Sequence, residues 1–456
     1  MRKILTTFLA LVLISCSSAD TEEATVVEDT STSTTTTTST TTSTTTTLPV
    51  DEPWAVDEYG IELIEMGPEM KAQFDELISF VEKRVGLEFT EYPKYQLYTV
   101  NGYQEYNAVS YLDDFDEDYE EGEWERAVLS ENMWGLTTAT PEQMKNLLTE
   151  FQRCASSGSY NLLDKILRIP VKANQKKFNL WEQSVIVHEL VHSLQGQVVD
   201  LSGWYLTMKE ADDFSDYPGR RAIMEAQADL IQARWEGGLD NYDRTAMNSQ
   251  QPNISCAVSL PSYFYIPFDL YYSFGPQVVK EINSNGGMDA INAALFELPT
   301  DEQIYSSEKY FSGEVYDEVS LNEISINNFS LIDEGDIGSL DMVYILQDFI
   351  GRVESVKAAI GIGGGAWKDY VDDEGNLVMT LKVSGDTAQD LSEIYDAYLL
   401  WTKNQGRFAD AESFANGQLF AGDTNFWMYN DGTFIRMVLT QDRSILDEIA
   451  DQIADF

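Results

Sequence analysis

Both histidines of this 456-residue chain lie in one pentapeptide, His188-Glu189-Leu190-Val191-His192. Histidines four positions apart face the same side of an α-helix, so their imidazoles can bind one Zn²⁺ ion at about 2.0–2.1 Å each. Glu189, next to the first of these ligands, is placed to accept a proton from a water molecule on the metal. The spacing therefore predicts a zinc site with its own general base. The alternative is a pair of core histidines on an amphipathic helix.

The residues around the pentapeptide predict the helix that carries both imidazoles. Apolar side chains recur there at the i, i+3, i+4, i+7 and i+11 spacing of a buried helical stripe. The members of this stripe are Val187, Leu190, Val191, Leu194 and Val198. The two histidines are thus expected one turn apart on a helix that packs against a core.

A catalytic zinc site needs a third protein ligand and an open position for water. The metzincin pattern is excluded, because it needs a further histidine and none is left. An aspartate ligand is possible but has no supporting motif. A glutamate on a following helix fits the segment 225–229 (EAQAD), whose small residues would allow close helix packing. Glu225 and Asp229 would then supply one metal ligand and one group that orients a ligand, although such acidic pairs are also common on solvated helix faces.

With these residues the sequence resembles the gluzincin metallopeptidases, the thermolysin-like class in which HExxH is followed by a glutamate-bearing helix. The resemblance implies an α+β fold with a mainly helical zinc-peptidase core and a small edge sheet. It implies His188, His192 and Glu225 as zinc ligands, Glu189 as general base and Asp229 as the hydrogen-bond partner of a ligand histidine. The reaction implied is hydrolysis of a peptide bond in a peptide or protein substrate.

Further segments resemble those of poorly characterised, secreted bacterial metallopeptidases. Residues 158–160 (GSY) and 165–171 (KILRIPV) are similar to a Gly-x-Tyr strand segment that precedes the HExxH helix in that group. In gluzincins this strand is the sheet edge on which an extended peptide is laid. Residues 299–304 (PTDEQI) and 308–310 (EKY) resemble a second segment of the group, but serines at 306–307 replace its His-Pro pair.

An oxyanion-stabilising donor is the remaining requirement of such a reaction. Because no histidine is left, a tyrosine or an arginine must act instead. Tyr272, at the start of an apolar helical stretch, is the candidate. The alternative for this residue is an aromatic side chain in the core.

The N-terminus predicts a lipoprotein signal peptide over residues 1–15. A basic start is followed by an apolar run, residues 4–14, that is too short to span a bilayer as a helix. Residues 13–16 (LISC) resemble a bacterial lipobox, which implies cleavage before Cys16 and lipid attachment to its thiol. We therefore expect an extracytoplasmic protein, at the cell surface or in the periplasm, whose contact with the membrane is the lipid. The alternative is an ordinary secretory signal with an incidental cysteine.

Residues 16–50 predict a disordered tether, because residues 30–47 are an unbroken run of serine and threonine with nothing to bury. Beyond it, Cys154 and Cys256 are an even number of cysteines in an oxidising compartment, so a disulfide between them is possible. The oligomeric state is left open by the sequence.

The charge balance excludes some partners. With 29 basic against 77 acidic residues, a formal charge of −48, the chain lacks the cations that bind nucleic acid or anionic lipid headgroups. The acidic stretch 113–125 predicts a solvated loop. Asp114, Asp116 and Asp118 are similar to the first ligands of a calcium loop, but Tyr119 stands where an EF-hand needs glycine. Structural Ca²⁺ is therefore possible but unsupported.

Two structural units are predicted after the tether, a zinc metallopeptidase domain over 51–330 and a C-terminal α+β accessory unit over 331–456. The predicted elements are helices over 68–85, 340–353, 386–401 and 444–456, strands over 94–100 and 377–383, a hairpin over 426–439 that turns at 430–432, and a turn or bulge at 361–365. A second hypothesis for the whole chain is a surface binding or adhesion lipoprotein with a structural or vestigial zinc site.

Overall fold

The computed structural model describes residues 56–154, 156–211, 213–251, 258–453 and 456. The predicted signal peptide, the tether, Cys16 and Cys256 lie outside the described residues. Within the described residues, no helix combines the length and apolar character that crossing a membrane requires.

The first part of the chain is helical around a small sheet. Its elements are α1 (Pro68–Val85), β1 (Lys94–Thr99), α2 (Val100–Asp118), α3 (Glu123–Trp134), α4 (Pro141–Cys154), β2 (Ser159–Tyr160) and β3 (Ile166–Val171). Strand β3 is central in this three-stranded sheet, parallel to β1 and antiparallel to β2. The short β2 is therefore an edge strand.

Four helices follow, α5 (Leu180–Val198), α6 (Leu201–Ala211), α7 (Tyr217–Glu236) and α8 (Asn241–Gln250). A reciprocal capping box starts α5, because the side chain of Asn179 accepts from the backbone N–H of Glu182 and the carboxylate of Glu182 accepts in return. Pro218 in the first turn of α7 is suited to a helix start, where its missing N–H has no partner to lose. Helices α5 and α7 pack against each other along their lengths.

A composite helical segment comes next. It runs from a 3₁₀ turn (Ser262–Tyr265) through α9 (Ile266–Asp269) and a π-helical turn (Leu270–Phe274) into α10 (Gly275–Ala294). The short helices α11 (Asp301–Tyr305) and α12 (Ser307–Ser312) follow it. Both the π-helical turn and α10 pack on α7.

The last part of the chain forms an antiparallel sheet of seven strands with four helices. The strands are β4 (Phe329–Asp336), β5 (Ile362–Asp372), β6 (Leu377–Gly385), β7 (Glu412–Phe414), β8 (Gly417–Phe420), β9 (Asn425–Asn430) and β10 (Ile435–Thr440), in the order β4-β5-β6-β10-β9-β8-β7. The helices are α13 (Ser339–Ile350), α14 (Arg352–Ile360), α15 (Ala388–Gln405) and α16 (Arg443–Ile449).

One continuous apolar cluster joins the two parts of the chain, with Phe74, Leu190, Trp401 and Met437 among its members. A polar contact crosses the same core. The fully buried carboxylate of Glu131 on α3 accepts a hydrogen bond from Tyr263 and another from Tyr344, each at 2.5 Å. Tyr263 belongs to the 3₁₀ turn and Tyr344 to α13, so the carboxylate connects three elements that are far apart in sequence.

The predicted α+β class is confirmed, with the small sheet beside α5, the helix that bears the pentapeptide. The predicted helix at 68–85, the strands at 94–100 and 377–383, the helix at 386–401 and the hairpin with its turn at 430–432 are also confirmed. At 361–365 the predicted bulge is present as a register shift between Ile362 and Gly364 at the start of β5.

The predicted acidic loop at 113–125 is wrong for most of its length, because α2 continues through Asp118 and α3 begins at Glu123. Aromatic side chains interleaved with the acids explain this. Phe115 is buried against the rings of Tyr111 and Trp124, which gives the stretch an apolar face. The acidic side chains of this stretch therefore belong mostly to helices whose apolar faces pack against the core.

Two C-terminal helices were predicted too long. The helix expected over 340–353 is interrupted at Gly351, whose φ of 84° and ψ of 158° lie outside the helical region. The helix expected over 444–456 ends at Ile449, and the chain end turns back so that Arg436 donates to the carbonyl oxygen of Phe456 at 2.8 Å. Burial of Ile453 and Phe456 against the sheet outweighs one more helical turn.

Candidate metal centre

Three side chains meet where α5 packs on α7. His188 and His192 lie one turn apart on α5, Glu225 lies on α7, and all three are at most 3% exposed. Their ligand atoms form a small triangle: Nε2 to Nε2 is 3.0 Å, Nε2 of His188 to Oε2 of Glu225 is 3.2 Å, and Nε2 of His192 to the same oxygen is 3.4 Å. The structure thus brings together the three residues predicted as metal ligands.

The size of this triangle fits a single metal ion. Ligands at about 2.0–2.1 Å in tetrahedral geometry stand roughly 3.3 Å from one another. The three observed separations, 3.0 to 3.4 Å, bracket that value. Within the described ranges, this is the group of His, Cys, Asp and Glu side chains whose ligand atoms converge closely enough to hold an ion.

Hydrogen bonds fix the tautomer of His192. The side-chain NH₂ of Gln195 donates to the carbonyl oxygen of Met224 at 3.0 Å and to Oε1 of Gln227 at 2.9 Å. Gln195 therefore turns its own Oε1, an acceptor, toward Nδ1 of His192 at 2.9 Å. Nδ1 must carry the proton, so the lone pair of His192 is on Nε2 and faces the triangle.

The same reasoning applies to His188. The NH₂ group of Gln232 donates to Ser184 at 2.8 Å, so its Oε1 faces Nδ1 of His188 at 3.0 Å. An oxygen of Asp229 lies 3.3 Å from the same nitrogen. Both neighbours are acceptors, which places the proton of His188 on Nδ1 and its lone pair on Nε2. Asp229 thus lies where the resemblance implied, and Gln232 is a second acceptor beside the same nitrogen of His188.

Three electron-pair donors therefore point at one spot, two imidazole nitrogens and a carboxylate oxygen, each within 3.4 Å of the others. When both rings are neutral, their Nδ1–H tautomers leave no proton between these three atoms. Mutual repulsion of buried acceptors is costly unless a cation sits among them. The donor set, two nitrogens and one oxygen, suits zinc.

Arg221 supports the carboxylate ligand. It lies one turn before Glu225 on α7, it is buried, and its guanidinium contacts Oε1 of Glu225. Burial alone would raise the pKa of Glu225, but the Arg221 guanidinium beside it acts in the opposite direction, and that pKa lies well below its ordinary range. The carboxylate is thus kept ionised, with one oxygen on Arg221 and the other toward the histidines.

Glu189 follows His188 on the same helix and is 1% exposed. At about 100° per residue, its side chain leaves the helix roughly 60° around the axis from His192. Strand β2 approaches it closely: a Cβ on Gly158, the residue before that strand, would lie 3.7 Å from Cγ of Glu189 and only 2.6 Å from a methyl group of Val185. Glycine at 158 thus lets the edge of the small sheet lie against α5 at the level of Glu189.

Tyr272 lies on the π-helical turn and is half-buried. Its hydroxyl group donates to Oε2 of Glu225 at 2.9 Å, the same oxygen that faces both histidines. The structure therefore places this predicted residue beside the triangle.

The segment before the HExxH helix, residues 158–171, and the segment after it, residues 299–310, lie in different places relative to the metal centre. Strand β3 is the centre of the small sheet, so the edge beside α5 is formed by β2 alone, at Ser159 and Tyr160. The segment 299–310 packs instead on the first turn of α7, where the carbonyl oxygen of Pro299 lies so close to Gly219 that a side chain there would clash.

The sequence did not predict Arg221, Gln195 or Gln232. An arginine four positions before a glutamate is common on helices, and amide side chains belong to no zinc motif. The one signal available was spacing, because Gln195 lies one turn after His192 and Arg221 one turn before Glu225.

Cys154 at the end of α4 is disulfide-bonded. Its predicted partner, Cys256, lies outside the described residues.

Comparisons of the chain with models of protein families, with curated proteins and with solved structures found no match.

Proposed function

We propose that the chain is a zinc-dependent metallopeptidase of the gluzincin type, with a thermolysin-like arrangement of HExxH helix, glutamate helix and edge sheet. One observation carries the proposal: two Nε2 lone pairs and a carboxylate oxygen converge within 3.4 Å, with Glu189 next to the first of them on the same helix. A purely structural site has no need of a carboxylate beside its ligand. His188, His192 and Glu225 would hold the ion.

A bound zinc ion would act as a Lewis acid that polarises a carbonyl group and lowers the pKa of a water molecule to about 7. Glu189 then accepts the proton of the attacking water and returns it to the departing amine nitrogen, so that it acts first as base and then as acid. When substrate is bound, Tyr272 would turn its O–H from Oε2 of Glu225 to the oxygen that becomes negative as the carbonyl is attacked. Arg221 keeps Glu225 ionised throughout.

The substrate we propose is an extended peptide held along β2. An edge strand offers main-chain N–H and C=O groups to which a peptide can add as a further strand. Because Gly158 brings this edge against Glu189, a peptide bond paired there would lie near the general base. We propose that this activity lies outside the cytoplasmic membrane on a lipid-anchored protein, because residues 1–16 resemble a lipoprotein signal peptide with its lipobox cysteine.

The test compares the wild-type protein with Glu189→Gln. We expect one zinc per chain in both proteins by elemental analysis, and cleavage of a peptide library by the wild type alone, since general base catalysis contributes about 10²- to 10⁴-fold. Glu210→Gln, on the exposed end of α6, is the matched control and should cleave as the wild type does. Library cleavage that survives in Glu189→Gln would contradict the mechanism.

A surface binding or adhesion lipoprotein with a structural zinc site is the second candidate. The burial of the site favours it, because His188, His192, Glu189 and Glu225 are all 0–3% exposed and a substrate must reach them. Tyr272 and the one-third-exposed carboxylate of Asp229 mark the sides of the centre nearest to solvent. One bound zinc without any cleavage that depends on Glu189 would select this second function.

A further inference from the structure

A series of three amide side chains, two buried and one partly buried, leads away from the metal centre. Gln195, which orients His192, donates to Gln227 at 2.9 Å. Gln227 donates in turn to Oδ1 of Asn292 on α10 at 2.7 Å, and Asn292 donates to the carbonyl oxygen of Val85 at 2.9 Å. Gln227 is fully buried. The series therefore runs from α5 through α7 and α10 to the last residue of α1.

The donors and acceptors of this series can be arranged in one order only. The carbonyl group of Val85 can accept a hydrogen bond and cannot donate one, so Asn292 must present its NH₂ group to it. Asn292 then has only its oxygen for Gln227, and Gln227 has only its oxygen for Gln195. A backbone carbonyl at the end of α1, where helix carbonyls lack partners within their own helix, thus sets the orientation of each amide in turn.

We propose that Gln227 and Asn292 are positioning residues for the metal centre, because this series, together with the Met224 carbonyl, holds His192 in its Nδ1–H tautomer. The inference rests on the proposed metal site but not on peptide hydrolysis. An Nε2–H tautomer of His192 would direct a proton at the ion, and it would require Gln195 to turn its oxygen toward both Met224 and Gln227. Removal of the series should therefore weaken metal binding by changing the tautomer populations of His192, without the loss of any metal ligand.

The two-histidine composition makes the tautomer directly measurable. In protein labelled with ¹⁵N-histidine, only His188 and His192 contribute ring signals, and long-range ¹H–¹⁵N spectra distinguish the two neutral tautomers of each ring. In the metal-free wild type, at a pH high enough to keep both rings neutral, we expect both as Nδ1–H. His188, whose orientation depends on Gln232 and Asp229, is the internal control.

The variants are Gln227→Met and Asn292→Leu, with Asn285→Ala at an exposed position of α10 as the matched control. We expect His192 to populate both tautomers in the first two variants while His188 keeps its signal, and zinc affinity measured by chelator competition to fall roughly 10- to 100-fold. If His192 stays Nδ1–H and zinc binds as in the wild type, the Met224 carbonyl suffices and the proposal is overturned. Gln227→Met is the milder change, so it keeps the test decisive if Asn292→Leu does not fold.

A failure of this proposal is distinct from a failure of the proposed function. If zinc binds to the wild type and no peptide is cleaved, the enzymatic reading is lost while the tautomer measurement still decides the role of Gln227 and Asn292. If peptides are cleaved and neither variant changes the tautomer of His192, the proposed enzymatic function is supported and the positioning role of Gln227 and Asn292 is refuted.

Discussion

Replacement of Arg221 tests directly how positive and negative charges are paired at the metal centre. Its guanidinium contacts one oxygen of Glu225, and both side chains are at most 5% exposed. Arg221→Met keeps the apolar length of the side chain and removes the charge. In the metal-free protein the carboxylate then loses its buried cation, and breaking a buried pair in this way costs about 3–5 kcal/mol. The free energy of unfolding should fall by that amount.

Zinc should return much of this loss, because the ion supplies a cation to the same carboxylate. We therefore expect zinc to raise the free energy of unfolding by more in Arg221→Met than in the wild type. The assay is urea unfolding followed by circular dichroism, with excess chelator and with saturating zinc. Ligand linkage converts the difference between the two conditions into the stabilisation that zinc provides.

Arg220 is the matched control, since it is the neighbouring residue on α7 and is equally buried. Its guanidinium donates twice to the carbonyl oxygen of Leu295, at 3.1 and 2.8 Å, and lies over the ring of Trp204. Arg220→Met should therefore lose stability by the same amount with and without zinc. The reasoning is refuted if zinc stabilises Arg221→Met and Arg220→Met equally.

Two further predictions concern a hydroxyl group and a buried acid. Tyr272→Phe should lower kcat by about 10²-fold with zinc stoichiometry unchanged, because it removes one oxyanion donor; wild-type turnover in peptide cleavage would exclude Tyr272 from this role. Burial raises the pKa of Glu131 to about 7 despite hydrogen bonds from Tyr263 and Tyr344. Since this folded-state pKa lies above the unfolded value, its contribution to stability is complete below about pH 4.5 and is lost as the pH rises through 7, by about 3 kcal/mol. Urea unfolding at several pH values should show this loss in the wild type and not in Glu131→Gln, and parallel profiles would contradict it.

The sequence predicted the centre better than its surroundings, for a physical reason. Ligand spacing on one helix is a local property, so the positions of His188 and His192 followed from the 3.6-residue period alone. The partners of their Nδ1 atoms are set by tertiary contacts. Gln195 orients His192 only because the carbonyl oxygen of Met224, on another helix, occupies its NH₂ group. No pattern within one segment contains that information.

The same distinction explains the errors outside the centre. The acidic stretch at 113–125 was predicted as a loop from its charge, but Phe115 packs on Trp124 across the turn between α2 and α3. That contact requires both helices to be formed and joined. Conversely, the hairpin turn at 430–432 was predicted correctly, because its glycine has a φ of 90°, which an Asn-Asp-Gly turn encodes locally.

The choice of amides around His192 follows from the charge of the centre. If Glu189 is the proposed base, then Glu189, Glu225 and the partly exposed Asp229 bring three negative charges to the centre, and Arg221 supplies one positive charge. A divalent ion held by these side chains would complete the balance and make the centre neutral. A carboxylate in the place of Gln195 would orient the imidazole equally well but would leave an uncompensated charge, which is costly where water is excluded. Neutral amides give His192 its tautomer without that cost. In a chain with 77 acidic residues, this explains why the amide of Gln195 alone orients His192. His188 is oriented by the amide of Gln232 together with Asp229, whose carboxylate is partly exposed.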